Sequence, residues 1–292
     1  MTVSKSGDKL MNTASCPIAG AGLGLRRSFM NELDALDHNP ADFLEVAPEN
    51  WMEMGGLLGK KFAHFAERYP MICHGLSLSI GSPAPLDEDF LIRLKGFFDK
   101  YNIRSYSEHL SYCSDDGHLY DLMPIPFTQE AVDHVAKRIL RVQEILERPL
   151  IIENVSYYAA PGQEMSEIDF LNGVLEQANC DLLLDVNNIY VNSINHGYDA
   201  ASYIKSVASK RIAYIHIAGH YDEAEDLKVD THGADIIDPV WKLLELTYQH
   251  HGVLPTLLER DFNIPTLDTL LSEVEQIRHY QSIQEHAHVA TA

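Results

Sequence analysis

The sequence predicts a (β/α)₈ barrel, and three observations lead there. Short apolar runs alternate with longer amphipathic stretches along the chain. Eight such pairs can be counted in the 292 residues, and no Pro/Gly/Ser-rich linker or charge run divides them. Strands alternating with helices imply a parallel sheet, and eight units of this size suit a closed barrel.

The first run, 18–25, contains Gly20-Ala21-Gly22-Leu23-Gly24. A doubly wound open sheet, the competing fold, wants a phosphate-binding turn at this point. The GxGxxG spacing fails because position 25 is Leu, so the glycines read as a tight first strand. Seven more runs of strand length follow at 42–46, 71–74, 105–109, 150–153, 182–185, 213–217 and 256–259. Helical spacing is clearest at 90–101, 130–147, 168–178, 240–251 and 267–280. Asp87, Thr128 and the pair Asp238-Pro239 stand where helix starts are expected. Residues 1–16 and 282–292 read as tails, leaving 17–281 as one barrel domain.

Composition narrows the function. The chain is 46% hydrophobic and 22% charged, the balance of a soluble globular protein. A net charge of −21 argues against nucleic acid and anionic membrane as partners, since phosphate recognition relies on Lys and Arg. Cys16, Cys73, Cys113 and Cys180 form no CxxC pair and read as free thiols of a reducing compartment. No run approaches the ~18 apolar residues of a membrane span, and the start lacks a signal-peptide core, so a cytoplasmic location is expected.

The chemistry collects at strand ends. From the third strand to the eighth these carry His74, Glu108-His109, Glu153-Asn154, Asp185 with Asn188, His216 and Glu259. Any one of these residues is ordinarily a hydrogen-bonded core or cap residue. Six consecutive strands ending this way place metal-type donors in one ring around the barrel mouth, where barrel active sites sit. Such a ring of carboxylates would repel without cations, and divalent ions are the simplest compensation. Only Arg260 follows a ligand position directly, and strand alternation points it to the other side. The loop after the seventh strand adds Asp230 and His232, spaced to reach one ion. His196 and His220 lie in mouth loops, as metal or substrate ligands. Glu49 and Asn50 follow the second strand, either lining a substrate channel or capping the next helix. Cys73 should face away from His74 into the core, and Tyr106, Tyr190 and Tyr214 read as packing. Mixed imidazole and carboxylate donors suit iron, manganese or zinc.

With these residues in view, the chain resembles the multinuclear non-haem iron enzymes that modify cysteines of ribosomally made peptides, the MbnB/TglH family. The resemblance covers roughly 19–270. It rests on Gly22-Leu23-Gly24-Leu25-Arg26, Glu45-Val46-Ala47-Pro48-Glu49-Asn50-Trp51, His74-Gly75-Leu76-Ser77, Ser107-Glu108-His109-Leu110-Ser111, Glu153-Asn154-Val155-Ser156, Asp185-Val186-Asn187-Asn188, His216-Ile217-Ala218-Gly219-His220 and Asp230-Thr231-His232-Gly233. It implies a xylose-isomerase-like barrel related in layout to three-metal apurinic endonucleases. By that analogy Glu153 would bridge two ions. Asp185, His216 and Glu259 would complete one site, His74 and His109 would serve a neighbour, and Asn188, Asp230 and His232 a third. Glu153, Asp185 and His216 are then the expected catalytic residues. The implied cofactor is two or three iron ions of mixed Fe(II)/Fe(III) valence, with zinc or manganese as alternatives. The implied substrate is a Cys-containing precursor peptide, oxidised with O₂ and delivered by a small leader-recruiting partner protein. The competing reading is a redox-inactive metal hydrolase or isomerase, acting on abasic DNA or a sugar.

Overall fold

Strand alternation decides what the barrel encloses. The computed structural model describes residues 17–114 and 118–291. In chain order the elements are β1 (Ala21–Gly24), α1 (Met30–Asp34), β2 (Phe43–Val46), α2 (Gly56–Arg68), β3 (Met71–Gly75), α3 (Glu88–Tyr101), β4 (Tyr106–His109), β5 (Tyr112–Ser114), β6 (His118–Met123), α4 (Gln129–Leu146), β7 (Ile151–Glu153), α5 (Glu167–Ala178), β8 (Asp181–Asp185), α6 (Val186–His196), α7 (Ala200–Ser206), β9 (Ile212–Ile217), β10 (Tyr221–Ala224), β11 (Leu227–Val229), α8 (Asp238–His251), β12 (Thr256–Leu258) and α9 (Leu267–Thr291). Eight strands pair in parallel and close in the order β1-β12-β9-β8-β7-β4-β3-β2. The eight predicted runs are these eight strands.

Two layers fill the barrel. Phe43, Ile72, Ile151, Leu183, Tyr214 and Leu257 form a buried plug. Two residues further along each of those strands stand Glu45, His74, Glu153, Asp185, His216 and Glu259. A strand returns to the same face every second residue, so the plug positions dictate that these six also point inward, one layer nearer the mouth. The outward residues, among them Leu44, Cys73, Tyr106, Ile152, Leu184 and Ile215, pack under the helices in the larger core. Cys73 thus lies opposite His74, as alternation requires. β1 contributes glycine at the crowded seam: a Cβ on Gly22 would come within 2.4 Å of the Phe43 ring.

Helix starts follow the capping chemistry. The Asp87 and Thr128 side chains accept from the Phe90 and Ala131 amides. Asp238 departs from expectation: it is the first residue of α8, Ile237 takes the cap position without a side-chain bond, and Pro239 sits in the first turn. α9 continues to Thr291, through the stretch read as a tail from 282. The expected tail at 1–16 lies outside the described residues. Two hairpins that the sequence reading did not separate, β5–β6 and β10–β11, extend the loops after β4 and β9. Among the described residues no helix is long and apolar enough to cross a membrane.

Candidate metal centre

The inward layer converges in three adjoining groups of donor atoms. His74, His109 and Glu153 form the first, Glu153, Asp185, His216 and Glu259 the second, and His232, Glu259 and Asp261 the third; within each group the donor atoms lie within 4.8 Å of one another. Glu153 belongs to the first two groups and Glu259 to the last two, so the three make one continuous cluster.

The first group is the tightest. His74 Nε2 lies 3.1 Å from His109 Nε2 and 3.2 Å from Glu153 Oε2, and His109 Nε2 lies 3.4 Å from the same oxygen. Metal–nitrogen and metal–oxygen bonds of about 2.0–2.2 Å put neighbouring ligand atoms on the order of 3 Å apart, so this spacing fits an ion shared by all three. In the second group His216 Nδ1 stands 2.9 Å from Glu259 Oε2 and 3.8 Å from Glu153 Oε1. Burial disfavours a charged imidazole, but the surrounding carboxylates outweigh it. Glu153 holds His74 up at about 9, and Glu45 and Glu259 hold His216 well above its ordinary value. Burial and the neighbouring His74 charge push His109 down to about 4. Burial drives the Asp185 carboxyl well up, with the Glu153 charge adding to it.

Unpartnered atoms test whether ions fit. Asp185 Oδ2 and Asn188 Oδ1 are buried without a hydrogen-bond partner, and His216 Nδ1, His232 Nε2 and Glu259 Oε2 are buried with other donors of the same cluster as their neighbours. Buried polar atoms are normally satisfied, so this many facing one volume marks a place for cations. The donors are nitrogen and oxygen throughout, which suits iron, manganese or zinc. Cys73 is turned away, and Cys113 and Cys180 are outside the groups.

Local structure holds each side chain. Asp185 ends β8 and caps α6: its Oδ1 accepts from the Asn188 amide at 2.6 Å while Oδ2 stays free. Asn188 donates through Nδ2 to the Asn154 carbonyl, which leaves Oδ1 facing the cluster. Asp230 lies 2.7 Å from His232 Nε2 and is held by Asn187 and Ser156. His232 has a left-handed backbone, φ 48°, and its carbonyl accepts from the Asp261 amide. A positive φ at a non-glycine is strain that the surrounding loop must impose, and such residues gather at functional sites. A cleft of about 410 Å³ opens above the groups, flanked by Arg26, Arg27, Asn50 and Trp51. A second cavity, beside Phe127 and Tyr157, has room for about 20 Å³ and suits a single water at most.

A family model for RiPP precursor modification enzymes MbnB/TglH/ChrH matches residues 20–282. The chain belongs to the MbnB/TglH/ChrH family. Its similarity to curated relatives runs the same length. It is 64% identical to a UPF0276 protein of Shewanella sediminis over 90% of this chain and 95% of that one, and 61% identical to a UPF0276 protein of Alcanivorax borkumensis over 91% and 93%. Solved structures share the fold at low identity. The 3-keto-D-glucoside 4-epimerase YcjR of E. coli superposes with a TM-score of 0.60 at 10% identity, covering 89% of this chain and 99% of that one. Endonuclease IV of Thermus thermophilus gives 0.54 at 13%, covering 91% and 99%. The fold is thus the xylose-isomerase-like barrel.

Within this family member the structure gathers His74, His109, Glu153, Asp185, His216, His232 and Glu259, with Asn188 and Asp230 alongside. Of the four residues expected to meet substrate, Asn50 alone lines the cleft. His196 ends α6, about 16 Å of helix beyond Asp185; its Nε2 contacts the Tyr157 carbonyl at 2.8 Å and its ring stacks on Tyr157, so it serves the scaffold and not the cluster. His220 contacts Asn187 Oδ1 at 2.7 Å, and Asn187 in turn holds Asp230; His220 supports the third group from outside. Glu49 caps the turn after β3, accepting from the Leu76 amide, while Asn50 lines the cleft. Tyr214 and Tyr106 are more than packing: their hydroxyls bind the Glu45 and Glu108 carboxylates. Two carboxylates escaped the sequence reading. Glu45 bonds His216 Nε2 at 3.0 Å, and Asp261 bridges Arg26 and His232. Both obey the alternation that found the others, as Phe43-x-Glu45 and Glu259-x-Asp261. Arg260 turns away to Glu273, as alternation predicts.

Proposed function

We propose that the chain is a multinuclear iron enzyme that oxidises a cysteine of a ribosomally made precursor peptide. One observation carries the reading: three donor groups share Glu153 and Glu259 at the floor of a cleft open to a peptide. Iron held there supplies one-electron chemistry and activates O₂ against a cysteine side chain. His74 and His109 would hold one ion with Glu153, and Asp185, His216 and Glu259 a second. His232 and Asp230, with Asn188, would hold a third. The chain's own work is to orient and exclude. Arg26 and Arg27 place positive charge beside the cleft, which favours an approaching thiolate, and Trp51 offers an apolar wall. The buried donor layer keeps bulk water from the reacting centre. A small partner protein that recruits the peptide leader completes this reading.

Anaerobically purified protein is expected to carry iron and to consume O₂ only when given a Cys-containing precursor peptide. Glu153→Gln keeps the shape and removes the shared charge; it should lose both metal and O₂ consumption. Full activity of zinc- or manganese-loaded protein without O₂ would sink the oxidative reading and favour a hydrolase or isomerase.

A further inference from the structure

We infer that Glu45 is the positioning carboxylate of this centre: it fixes which nitrogen His216 presents to the donor cluster, and through Tyr214 and Ser107 it fixes the same choice in His74. The inference rests on the metal-centre reading above. Its basis is an unbroken hydrogen-bonded chain across the barrel floor. Glu45 Oε1 lies 3.0 Å from His216 Nε2. Glu45 Oε2 accepts from the Tyr214 hydroxyl at 2.8 Å, the Tyr214 and Ser107 oxygens are 2.7 Å apart, and Ser107 Oγ is 2.8 Å from His74 Nδ1. Glu45, Ser107, Tyr214, His74 and His216 are all buried.

The direction of every bond follows from one end. A carboxylate has no proton and only accepts. The Tyr214 proton therefore points to Glu45, which leaves the Tyr214 oxygen to accept from Ser107 at 2.7 Å, a closer partner for that hydroxyl than the Cys73 carbonyl at 3.4 Å. Ser107 has then spent its own proton and must accept from His74, so Nδ1 of His74 carries hydrogen and Nε2, 3.2 Å from Glu153, is the nitrogen left for the cluster. By the same rule His216 donates from Nε2 to Glu45, and Nδ1, 2.9 Å from Glu259 Oε2, is the nitrogen left for the cluster. These are the two nitrogens that face the donor groups: His74 Nε2 toward His109 and Glu153, His216 Nδ1 toward Glu259. One side chain thus ties hydrogen to opposite nitrogens of two histidines on either side of Glu153, and the nitrogen left in each is the one an ion would take. A hydrogen-bonded partner on the far nitrogen of a ligand histidine sets its orientation and strengthens it as a donor. Here two histidines share that partner. Phenylalanine at 214 would fill the same space, so packing alone does not call for the hydroxyl.

The test uses zinc as a diamagnetic probe on the full chain. Affinity is measured by chelator competition, imidazole ¹⁵N shifts report the bound nitrogen, and thermal melting checks the fold. In the wild-type protein His216 should bind through Nδ1 and His74 through Nε2. Tyr214→Phe should weaken zinc at the His74 group by about 10–100-fold. It should also scramble the His74 nitrogen signals while leaving those of His216 in place. Glu45→Gln should disturb both histidines. Ser107→Ala should match Tyr214→Phe, and the double variant should be no worse than either single; this pair decides if one variant fails to fold. Wild-type affinity and shifts in both single variants would overturn the relay and leave the metal centre standing. Wild-type protein that takes up no zinc would overturn the metal-centre reading, and the relay with it.

Discussion

Glu153 meets three histidines at once, and that contact list explains why it stays charged in a buried place. Burial alone would raise its carboxyl, but the adjoining His74 charge holds it below the ordinary range, with help from His109 and His216. Glu167 is the opposite case. Its Oε2 is sealed from solvent without a partner, although the residue as a whole, at the start of α5, is only partly buried. Burial pushes its carboxyl up to about 7, against bonds from Tyr203 and Asn192 that favour the charge. Between the ordinary carboxyl value of about 4.5 and that figure the unfolded chain has lost this proton while the folded chain keeps it. Stability must therefore fall as pH rises through that window, by an amount on the order of 2–3 kcal/mol, and level off above it. Glu167→Gln removes this slope. Urea midpoints at pH 5 and pH 8 should show the variant gaining on the wild type at the higher pH. An equal difference at both values would exclude the assignment.

At the scale of elements, each barrel strand is a short lever that carries a plug residue and, two places on, a functional one. That spacing is why so much of the site was legible. The apolar runs marked the strands, and polar residues at their ends marked the mouth. His74, Glu153, Asp185, His216 and Glu259 follow from counting alone. Glu45 obeys the same count, standing one residue before the end of β2 as His74 and His216 do in β3 and β9, and was missed because the ring of donors was read only from the third strand onward. The β10–β11 hairpin was missed because Tyr221–Ala224 is exposed throughout and carries no apolar alternation. His196 misled because α6 begins at the site, at Asp185, and then carries its far end away; Asn and β-branched residues gave little sign of a helix there. β1 supplies the sharpest test of this packing. A methyl on Gly22 has no room beside the buried Phe43 ring. Gly22→Ala should cost about 1–3 kcal/mol, read as a lowered urea midpoint with an unchanged slope. A neutral result would show that the Phe43 ring yields freely and that β1 is not the tight seam described.

For the whole molecule, closing the barrel draws carboxylates and imidazoles into one buried ring, and the fold must neutralise what it has gathered. Without ions, protons do this. His74 is held at about 9, and His216 and His232 well above their ordinary range, each against burial by its neighbouring carboxylates. Raised histidine values of this kind stabilise the metal-free fold fully below about pH 6.5, and that contribution is lost as pH rises through about 9. Metal must displace the same protons, so binding should release protons and strengthen from pH 6 to pH 9. The two effects act in one direction. Raising the pH weakens the metal-free barrel and tightens the metal-bound one, so the gap between their melting temperatures should widen. An ion at about 100 times its dissociation constant adds about 2.7 kcal/mol of stability to the fold it binds. Melting curves with and without a chelator across that range measure the gap, and calorimetry in two buffers of different ionisation enthalpy counts the protons. A gap that stays constant with pH, or binding that releases no protons, would mean that the ring is balanced by something other than exchange of protons for ions.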